Sequence, residues 1–227
     1  MKQKISILLC LLIGVLSVKA QNEKFIQELK PFQEVKAYDG LSVNLIKSDV
    51  NRAVVTGANT KDVAFVNKDG VLKIRMNITK LFSGYRTFVD LYYTDQIMVI
   101  DTNEDAKITS NESIAQAVLT LKAQEGGELV IHTAVEMLHV KSIMGGKITT
   151  SGSAHTQEIY INTGGSYNGK DCKTKVSTVS VNAGSRAVIH ATDHVDANVK
   201  AGGEVLVYGN PKKMDKTTIF GGKIIRM

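Results

Sequence analysis

Pairs of carboxyl groups are the first chemistry to test in this sequence, because enzymes that cleave polysaccharides place two of them within about 5–10 Å. A pair of small residues recurs about every nineteen residues and divides the chain into repeats. Counted from that pair, Glu112 and Asp171 occupy the same position in their repeats. They lie three repeats apart, which is about 14 Å at the spacing of β-strands. Asp196 and Asp215 come closest, in adjacent repeats with a one-residue offset. We therefore interpret the acidic residues as solvated surface charges and predict no catalytic residue.

Histidine and serine side chains give no stronger signal for metal binding or nucleophilic catalysis. His155 and His194 share a repeat position two repeats apart, at about 9–10 Å, which is too far to coordinate one zinc ion directly. His132 and His190 share another position, three repeats apart, and no HExxH motif is present. Ser151 shows no nucleophile–base pairing in the sequence. No metal ligand and no cofactor-binding residue is predicted.

Three tyrosines, Tyr85, Tyr93 and Tyr160, are the best candidates for ligand binding. They lie in or beside polar segments, and tyrosine can bind a sugar ring by stacking and by hydrogen bonding. Tyr160 lies between two isoleucines in a predicted strand, so its side chain should point outward. Tyr93 follows Tyr92 in another predicted strand, so at most one of the two faces the core. Packing in the core or between coils is the alternative role.

The elements that would position these residues are set by a repeat of about nineteen residues. A pair of small residues, usually Gly-Gly, recurs at intervals of 21, 19, 19, 20, 18 and 19 residues. The first members of the pairs are Asp105, Gly126, Gly145, Gly164, Gly184, Gly202 and Gly221. Apolar or small side chains alternate with polar ones on both sides of each pair, which predicts strand, tight turn and strand. A period of this length is typical of a β-solenoid, in which a further strand-sized stretch and a loop would complete a three-sided coil.

The alignment of the repeats also predicts which side chains stack on one another. The residues two positions after the first member of each pair would stack from coil to coil. Along two of these stacks, which we call ladders, positive and negative side chains alternate. The ladders are Lys107–Glu128–Lys147 and Arg186–Glu204–Lys223. Each pair would contribute only a few tenths of a kcal/mol, whereas stacked like charges would be unfavourable. The alternation supports the alignment and indicates structure, not a binding site.

Residues outside the repeats divide into three parts. Residues 1–20 have a basic start, an apolar stretch and a small residue at the end, which predicts a cleaved secretory signal. Residues 21–30 are a polar lead-in with a short helical pattern, and residues 31–96 read as irregular β structure that caps or opens the solenoid. Residues 97–227 are the repeats. After signal cleavage no integral membrane segment is expected.

Composition excludes several functional classes. The formal charge of +6 falls to +3 when the three lysines of residues 1–20 are removed, and no cluster of Lys and Arg is present, so nucleic acid is not an expected partner. The mature chain keeps one cysteine, Cys172, which excludes an internal disulfide and a multi-cysteine metal site. A buried, unreactive thiol is the expected state of Cys172.

Several segments in this order resemble the exported Bacteroidetes family known as "putative autotransporter adhesin, head GIN domain". They are PFQEV at 31–35, DGLSVNL at 39–45, DGVLKI at 69–74, YGNP at 208–211 and GGKI at 221–224. Together with the glycine-paired repeats they cover roughly residues 31–227. The resemblance implies a right-handed, β-helix-like solenoid at the cell surface or in the envelope, and it implies no catalytic residues.

The sequence therefore predicts an exported, non-enzymatic, all-β solenoid located in the periplasm, on the outer surface or outside the cell. Its expected role is adhesion or the presentation of a regular face to a glycan or an envelope protein. Two alternatives remain open, namely a β-helix polysaccharide lyase or hydrolase and an envelope protein that binds lipid or a protein partner. An uncovered last coil would allow homo-oligomers to form through the solenoid ends.

Overall fold

The structure, a computed structural model, describes residues 24–227. It is nearly all β, with 67% strand and 4% helix, and about seven turns of roughly 19-residue coils, which confirms the predicted fold class. The predicted signal at residues 1–20 lies outside the described residues. The strands are β1 (Phe25–Glu28), β2 (Glu34–Ala37), β3 (Ser42–Lys47), β4 (Arg52–Gly57), β5 (Val63–Lys68), β6 (Val71–Met76), β7 (Thr87–Tyr93), β8 (Val99–Thr102), β9 (Lys107–Ala123), β10 (Glu128–Ser142), β11 (Lys147–Ile161), β12 (Ser166–Val181), β13 (Arg186–Lys200), β14 (Glu204–Tyr208), β15 (Lys213–Ile219) and β16 (Lys223–Arg226). Short 3-10 helices lie at Thr60–Asp62, Ile78–Lys80 and Gly84–Arg86.

The solenoid is formed by parallel pairing of successive coils. Each strand from β9 to β13 runs from one corner to the next and pairs in parallel with the coils on either side. The prediction of a loop on the far side of each coil is wrong, because each of the strands β9 to β13 continues without a loop from one glycine corner to the next. Small bulges interrupt the pairing where the repeat lengths differ, for example after Ile131 in β10, where β9 has two additional residues.

The predicted alignment of the repeats is confirmed. The residues that stack two positions after the first member of each pair are Lys107, Glu128, Lys147, Ser166, Arg186, Glu204 and Lys223. Lys107 Nζ lies 2.9 Å from Glu128 Oε1, and Arg186 Nε lies 3.0 Å from Glu204 Oε2. These ion pairs are substantially exposed, so each contributes little to stability.

The two corner residues of each pair have different structural reasons for being small. The first member and the residue before it both have positive φ angles, as at Met144 (48°) and Gly145 (77°). The second member lies against the coil beneath it: a Cβ atom on Gly146 would lie 2.2 Å from the carbonyl oxygen of Ala123. The corner amides also bond from coil to coil, since Gly126 N–H donates to Met144 O and Gly145 N–H donates to Thr163 O.

The core consists of the inward side chains on both sides of the corner. The apolar positions three and five residues before the small pair are buried in every repeat from Ile100 to Val199. The positions three residues after it are buried from Ile108 to Val205, and Tyr167 takes this position in the middle of the solenoid with 1% exposure. The period-2 pattern therefore identifies the core correctly.

The N-terminal region adds one coil and, beyond it, the strands β4 to β7, which we call the cap. The strands β2 and β3 flank a corner at Asp39–Gly40 and pair in parallel with β8 and β9, so residues 34–47 form a coil next to the first repeat. The strands β6 and β7 pair with β2 and β3 on the other side. Antiparallel β4 and β5 lie against β7 and β6. The lead-in, for which a helical pattern was expected, contains β1, which pairs antiparallel with β4 because that edge offers backbone partners.

The C-terminal end has no cap of this kind in the described residues. The strands β15 and β16 pair with β13 and β14 on one side only. Three polar residues of these strands stack in register on buried apolar residues of the preceding coil. Lys216 pairs with Ala197, Thr218 with Val199, and Arg226 with Val207. Polar side chains at inward positions of a last coil discourage association with another sheet edge. The predicted association through the ends stays a prediction, and these side chains oppose it.

Candidate functional site

A broad surface groove lies on the side of the coils that precedes the glycine corner. It has a volume of about 700 Å³, and Tyr160 is near its centre. We call this surface the Tyr160 face and define it by two outward rows of side chains. One row is Lys122, Lys141, Tyr160, Ser180, Asn198 and Thr217, and the other is Thr120, His139, Glu158, Thr178 and Asp196.

The geometry around Tyr160 combines an accessible ring with polar groups. The side chain is 42% exposed, and Asn162 Nδ2 donates to its hydroxyl oxygen over 3.1 Å. Lys141 and Ser180 flank it in the same row, because adjacent coils place them in register. In the neighbouring row, His139 Nδ1 lies 3.2 Å from Glu158 Oε2. Regular strands thus hold an aromatic ring, a carboxylate, an amide and a hydroxyl along one groove.

The structure does not bring the three predicted tyrosines together. Tyr93 is 7% exposed, and the Lys47 ammonium lies 5.1 Å from the centre of its ring, so it offers almost no surface to a ligand. Tyr85 is 57% exposed, but its ring covers Gly40 and its hydroxyl donates to Asp105 Oδ2 over 3.0 Å. The ligand-binding role of all three stays a prediction, and Tyr160 has the geometry most suited to it.

The two carboxylates that the sequence placed closest, Asp196 and Asp215, are in better register than the sequence alignment suggested. Asp196 and Asp215 are direct partners in adjacent strands, without the predicted one-residue offset, since both lie six residues before their small pair. Asp215 Oδ2 accepts hydrogen bonds from Lys213 Nζ and His194 Nε2, each at 2.8 Å. These two bonds lower the pKa of Asp215. A glycosidase acid needs the opposite shift, so Asp215 does not have the electrostatics of the acid in such a pair.

One serine–histidine contact was missed by the sequence reasoning. The Ser151 hydroxyl is hydrogen-bonded to His132 Nδ1, although no such pairing was predicted. Both residues lie six positions after the first member of their pair, so the repeat itself carried the signal. Asp171 is the next residue in line, but it lies beside Ser151 and not beside His132. A catalytic triad requires a carboxylate that orients the histidine, so this contact lacks the third element.

The histidines are engaged individually. His139 contacts Glu158, His194 contacts Asp215, and His190 Nδ1 lies 3.2 Å from the carbonyl oxygen of Lys170. Bulges place His155 and His194 in different rows, in contrast to the alignment made from the sequence. Among residues 24–227, no group of three or more His, Cys, Asp or Glu side chains is placed to hold a metal ion.

The family follows from a match over most of the chain. The sequence model of the family described as "Putative auto-transporter adhesin, head GIN domain" matches residues 31–211. The chain belongs to this family. The match includes the cap, the Tyr160 face except Thr217, and the YGNP segment, and it ends before the last strands, β15 and β16. No curated protein gives a match.

Solved structures share the fold of this head GIN domain protein. A Bacteroides fragilis protein described as a putative adhesin is 14% identical, with a TM-score of 0.82 over 91% of this chain and 97% of that one. A putative adhesin from Parabacteroides distasonis is 17% identical, with a TM-score of 0.73 over 92% and 98%. A Parabacteroides distasonis protein described as a putative lipid binding protein is 15% identical, with a TM-score of 0.68 over 92% and 98%. At these identities the likeness concerns the fold alone.

The described part of this head GIN domain protein contains no helix of the length and apolar character needed to cross a bilayer.

Proposed function

We propose that the protein is an exported, non-enzymatic scaffold of the cell envelope or surface that binds glycans through the Tyr160 face. The accessible Tyr160 ring at the centre of a broad groove is the observation that carries this proposal. The family and the signal-like residues 1–20 support export and a surface role. The groove spans several coils at about 4.8 Å each, which suits an extended chain ligand better than a compact molecule.

The side chains around Tyr160 match the groups that a sugar ring presents. A tyrosine ring can pack against the apolar face of a sugar. Glu158 can accept hydrogen bonds from hydroxyl groups, and Asn198 can donate them through its amide nitrogen. Five of the eleven positions on this face are short hydroxyl or amide side chains on paired strands, and these lose little conformational freedom when a ligand binds.

The charge of the Tyr160 face favours a neutral glycan. Lys122 and Lys141 contribute two positive charges, and Glu158 and Asp196 contribute two negative charges, so the lining is neutral when His139 is uncharged. A neutral lining offers no general attraction to an acidic or a basic polymer. Selection would then depend on stacking and hydrogen bonding.

Features of the acidic residues support the non-enzymatic part of the proposal. The carboxylate pair predicted from the repeats, Asp196 and Asp215, contains a carboxyl group with a lowered pKa. Within residues 24–227, the Ser151–His132 contact has no orienting carboxylate at the histidine. Asp215 is therefore unsuited to the role of a general acid, and the serine–histidine contact is a dyad without the carboxylate of a triad.

The test is a glycan array with mature protein (residues 21–227), combined with an assay for released sugar. We expect binding to neutral glycans without turnover, and loss of that binding in Tyr160→Ala. Phe88→Ala is the matched control, since Phe88 is an exposed ring (52%) outside the Tyr160 face, and it should bind as the wild type does. Release of sugar would refute the non-enzymatic role. Equal binding by Tyr160→Ala and the wild type would refute the assignment to this face.

A further inference from the structure

A second groove lies on the next side of the coil, beyond the glycine corner. It has a volume of about 580 Å³, and we call it the basic groove. Its outward side chains come from the strands β10 to β14 and are Glu128, Lys147, Thr149, Ser166, Asn168, Lys170, Arg186, Val188, Leu206 and Tyr208. None of the residues predicted from the sequence to bind a ligand lies in it.

The charges of the basic groove do not balance. Lys147, Lys170 and Arg186 face it, and Glu128 is the single acidic residue of its lining. That carboxylate is already paired with Lys107, at 2.9 Å. Arg186 Nε lies 3.0 Å from Glu204 Oε2, the next residue in its row. Lys147 has no ion pair within the described residues, so Lys147 and Lys170 give the groove a local excess of positive charge that the Tyr160 face lacks.

The excess coincides with a gap in the stacked charges. In the stacked row two positions after the first corner residue, the side chain is positive at Lys147, neutral at Ser166 and positive at Arg186. Elsewhere in the row a negative residue separates the positive ones, as Glu128 does between Lys107 and Lys147. Ser166 therefore occupies the position where alternation calls for a negative charge. Two coil spacings place the strand positions of the flanking cations about 10 Å apart, with room for an anionic group between them.

The rest of the basic groove offers both polar and apolar contacts. Lys170 Nζ lies 4.7 Å from the centre of the Tyr208 ring, which places a third positive charge on the other side of the groove. Between them, one row of side chains passes from polar Thr149 and Asn168 to half-buried Val188 and Leu206. Sugar rings expose hydroxyl groups and C–H faces, and this row can meet both.

We propose that the basic groove binds an acidic polysaccharide, with one carboxylate or sulfate group held between Lys147 and Arg186 over Ser166. The bound anion completes the alternating row of charges. The Tyr208 ring is already covered by Lys170, so it gives no free platform for the stacked bases of a nucleic acid. The polar half of the floor suits a sugar better than the acyl chain of a lipid. This site differs from the Tyr160 face in both location and charge.

The decisive variant is Ser166→Glu, which supplies the missing negative charge from the protein itself. A glutamate at this position would lie between Lys147 and Arg186, so folding should be unaffected or slightly favoured. It would also occupy the position of the ligand's anionic group and repel that group. Ser166→Gln is the matched control, since it has nearly the same size without the charge.

The experiment is calorimetric titration of mature protein with oligogalacturonates, heparin oligosaccharides and, as the neutral probe, maltooligosaccharides. We expect the wild type to bind at least one acidic probe at least tenfold more tightly than the neutral one, with an affinity that falls as salt is added. Ser166→Glu should lose at least tenfold in affinity with an unchanged melting temperature, whereas Ser166→Gln should keep most of it. Tyr160→Ala should not affect this binding, so the result is separate from that for the Tyr160 face.

Three outcomes would overturn the proposal. The first is wild-type protein that binds neither acidic probe more tightly than the neutral one. The second is Ser166→Glu that binds the acidic probes as the wild type does. The third is tight binding to phosphatidylglycerol vesicles in the absence of any binding to the oligosaccharides, which would assign the groove to a lipid headgroup.

Discussion

The Tyr167 hydroxyl donates a hydrogen bond to Gln157 Oε1 over 3.0 Å in the interior of the solenoid. Thr150 Oγ1 lies 2.8 Å from the same hydroxyl oxygen, and Gln157 Nε2 donates to Ser177 Oγ over 2.7 Å. All four side chains are buried, and burial raises the pKa of Tyr167. A connected polar cluster thus links the strands β11 and β12 inside a core that is otherwise mostly apolar.

Replacement of Tyr167 by phenylalanine should destabilise the protein. The variant Tyr167→Phe leaves Gln157 Oε1 without its donor in a site that excludes water, and an unsatisfied buried polar group costs about 1–3 kcal/mol. Urea unfolding followed by circular dichroism measures the change. Tyr160→Phe is the control, because its hydroxyl is on the surface, and it should leave the midpoint nearly unchanged. Equal midpoints for the two variants would contradict the structural role of the cluster.

The two glycines of one corner should respond differently to alanine. Gly145 has a φ of +77° but open space around its Cβ position, so Gly145→Ala should cost about 1 kcal/mol for the left-handed backbone. A Cβ on Gly146 would lie 2.2 Å from the Ala123 carbonyl oxygen, so Gly146→Ala must displace the neighbouring coil and should cost more. Thermal unfolding of both variants is the measurement. A larger loss for Gly145→Ala would show that backbone angle outweighs coil contact at this corner.

The thiol of Cys172 should be inert in the folded protein. Its side chain is fully buried, and burial raises the pKa of the thiol, so the reactive thiolate is rarer at any given pH than in an exposed cysteine. A chromogenic disulfide reagent should label it only after denaturant is added. Rapid labelling of native protein at neutral pH would refute this.

Apolar replacements at the last coil should induce association through that end. Lys216 and Arg226 lie in line with buried Ala197 and Val207, so Lys216→Val together with Arg226→Val would extend the apolar core to an uncovered surface. We expect a concentration-dependent dimer in light scattering. Thr217→Val with Lys223→Val is the matched control at outward positions, and it should resemble the wild type. Equal association by both double variants would indicate non-specific hydrophobic association and not association through the end of the solenoid.

The sequence predicted most of the fold because the glycine pair determines both the corner and the register next to it. The stacking of Lys107, Glu128 and Lys147 follows from counting residues from the corner. Farther from the corner the count fails, as for Glu112, which lies in the two-residue excess of β9 and does not share a row with Asp171. Bulges absorb differences in repeat length, and their position depends on packing that the period does not describe.

Contacts between distant or buried polar residues were harder to predict. The coil at residues 34–47 lies next to the repeat that begins near residue 97, with the cap inserted between them in the sequence, so the period does not reveal it. Tyr167 occupies an inward position, but alternation indicates only the direction of a side chain and not the partners of its hydroxyl. By contrast, the Ser151–His132 contact and the Asp196–Asp215 pair were available from the repeat, since each pair shares one offset.

The peptide groups at the corners all point the same way along the solenoid. Gly84 N–H donates to the Asp39 carbonyl at one end, and each corner N–H donates to the carbonyl of the next corner, as far as Gly202 N–H and Phe220 O. Aligned amides add their dipoles, as they do in an α-helix. This edge of the molecule therefore carries an axial dipole, with its partial positive charge at the amide of Gly221. The two ends of the solenoid are electrically different, independently of any charged side chain.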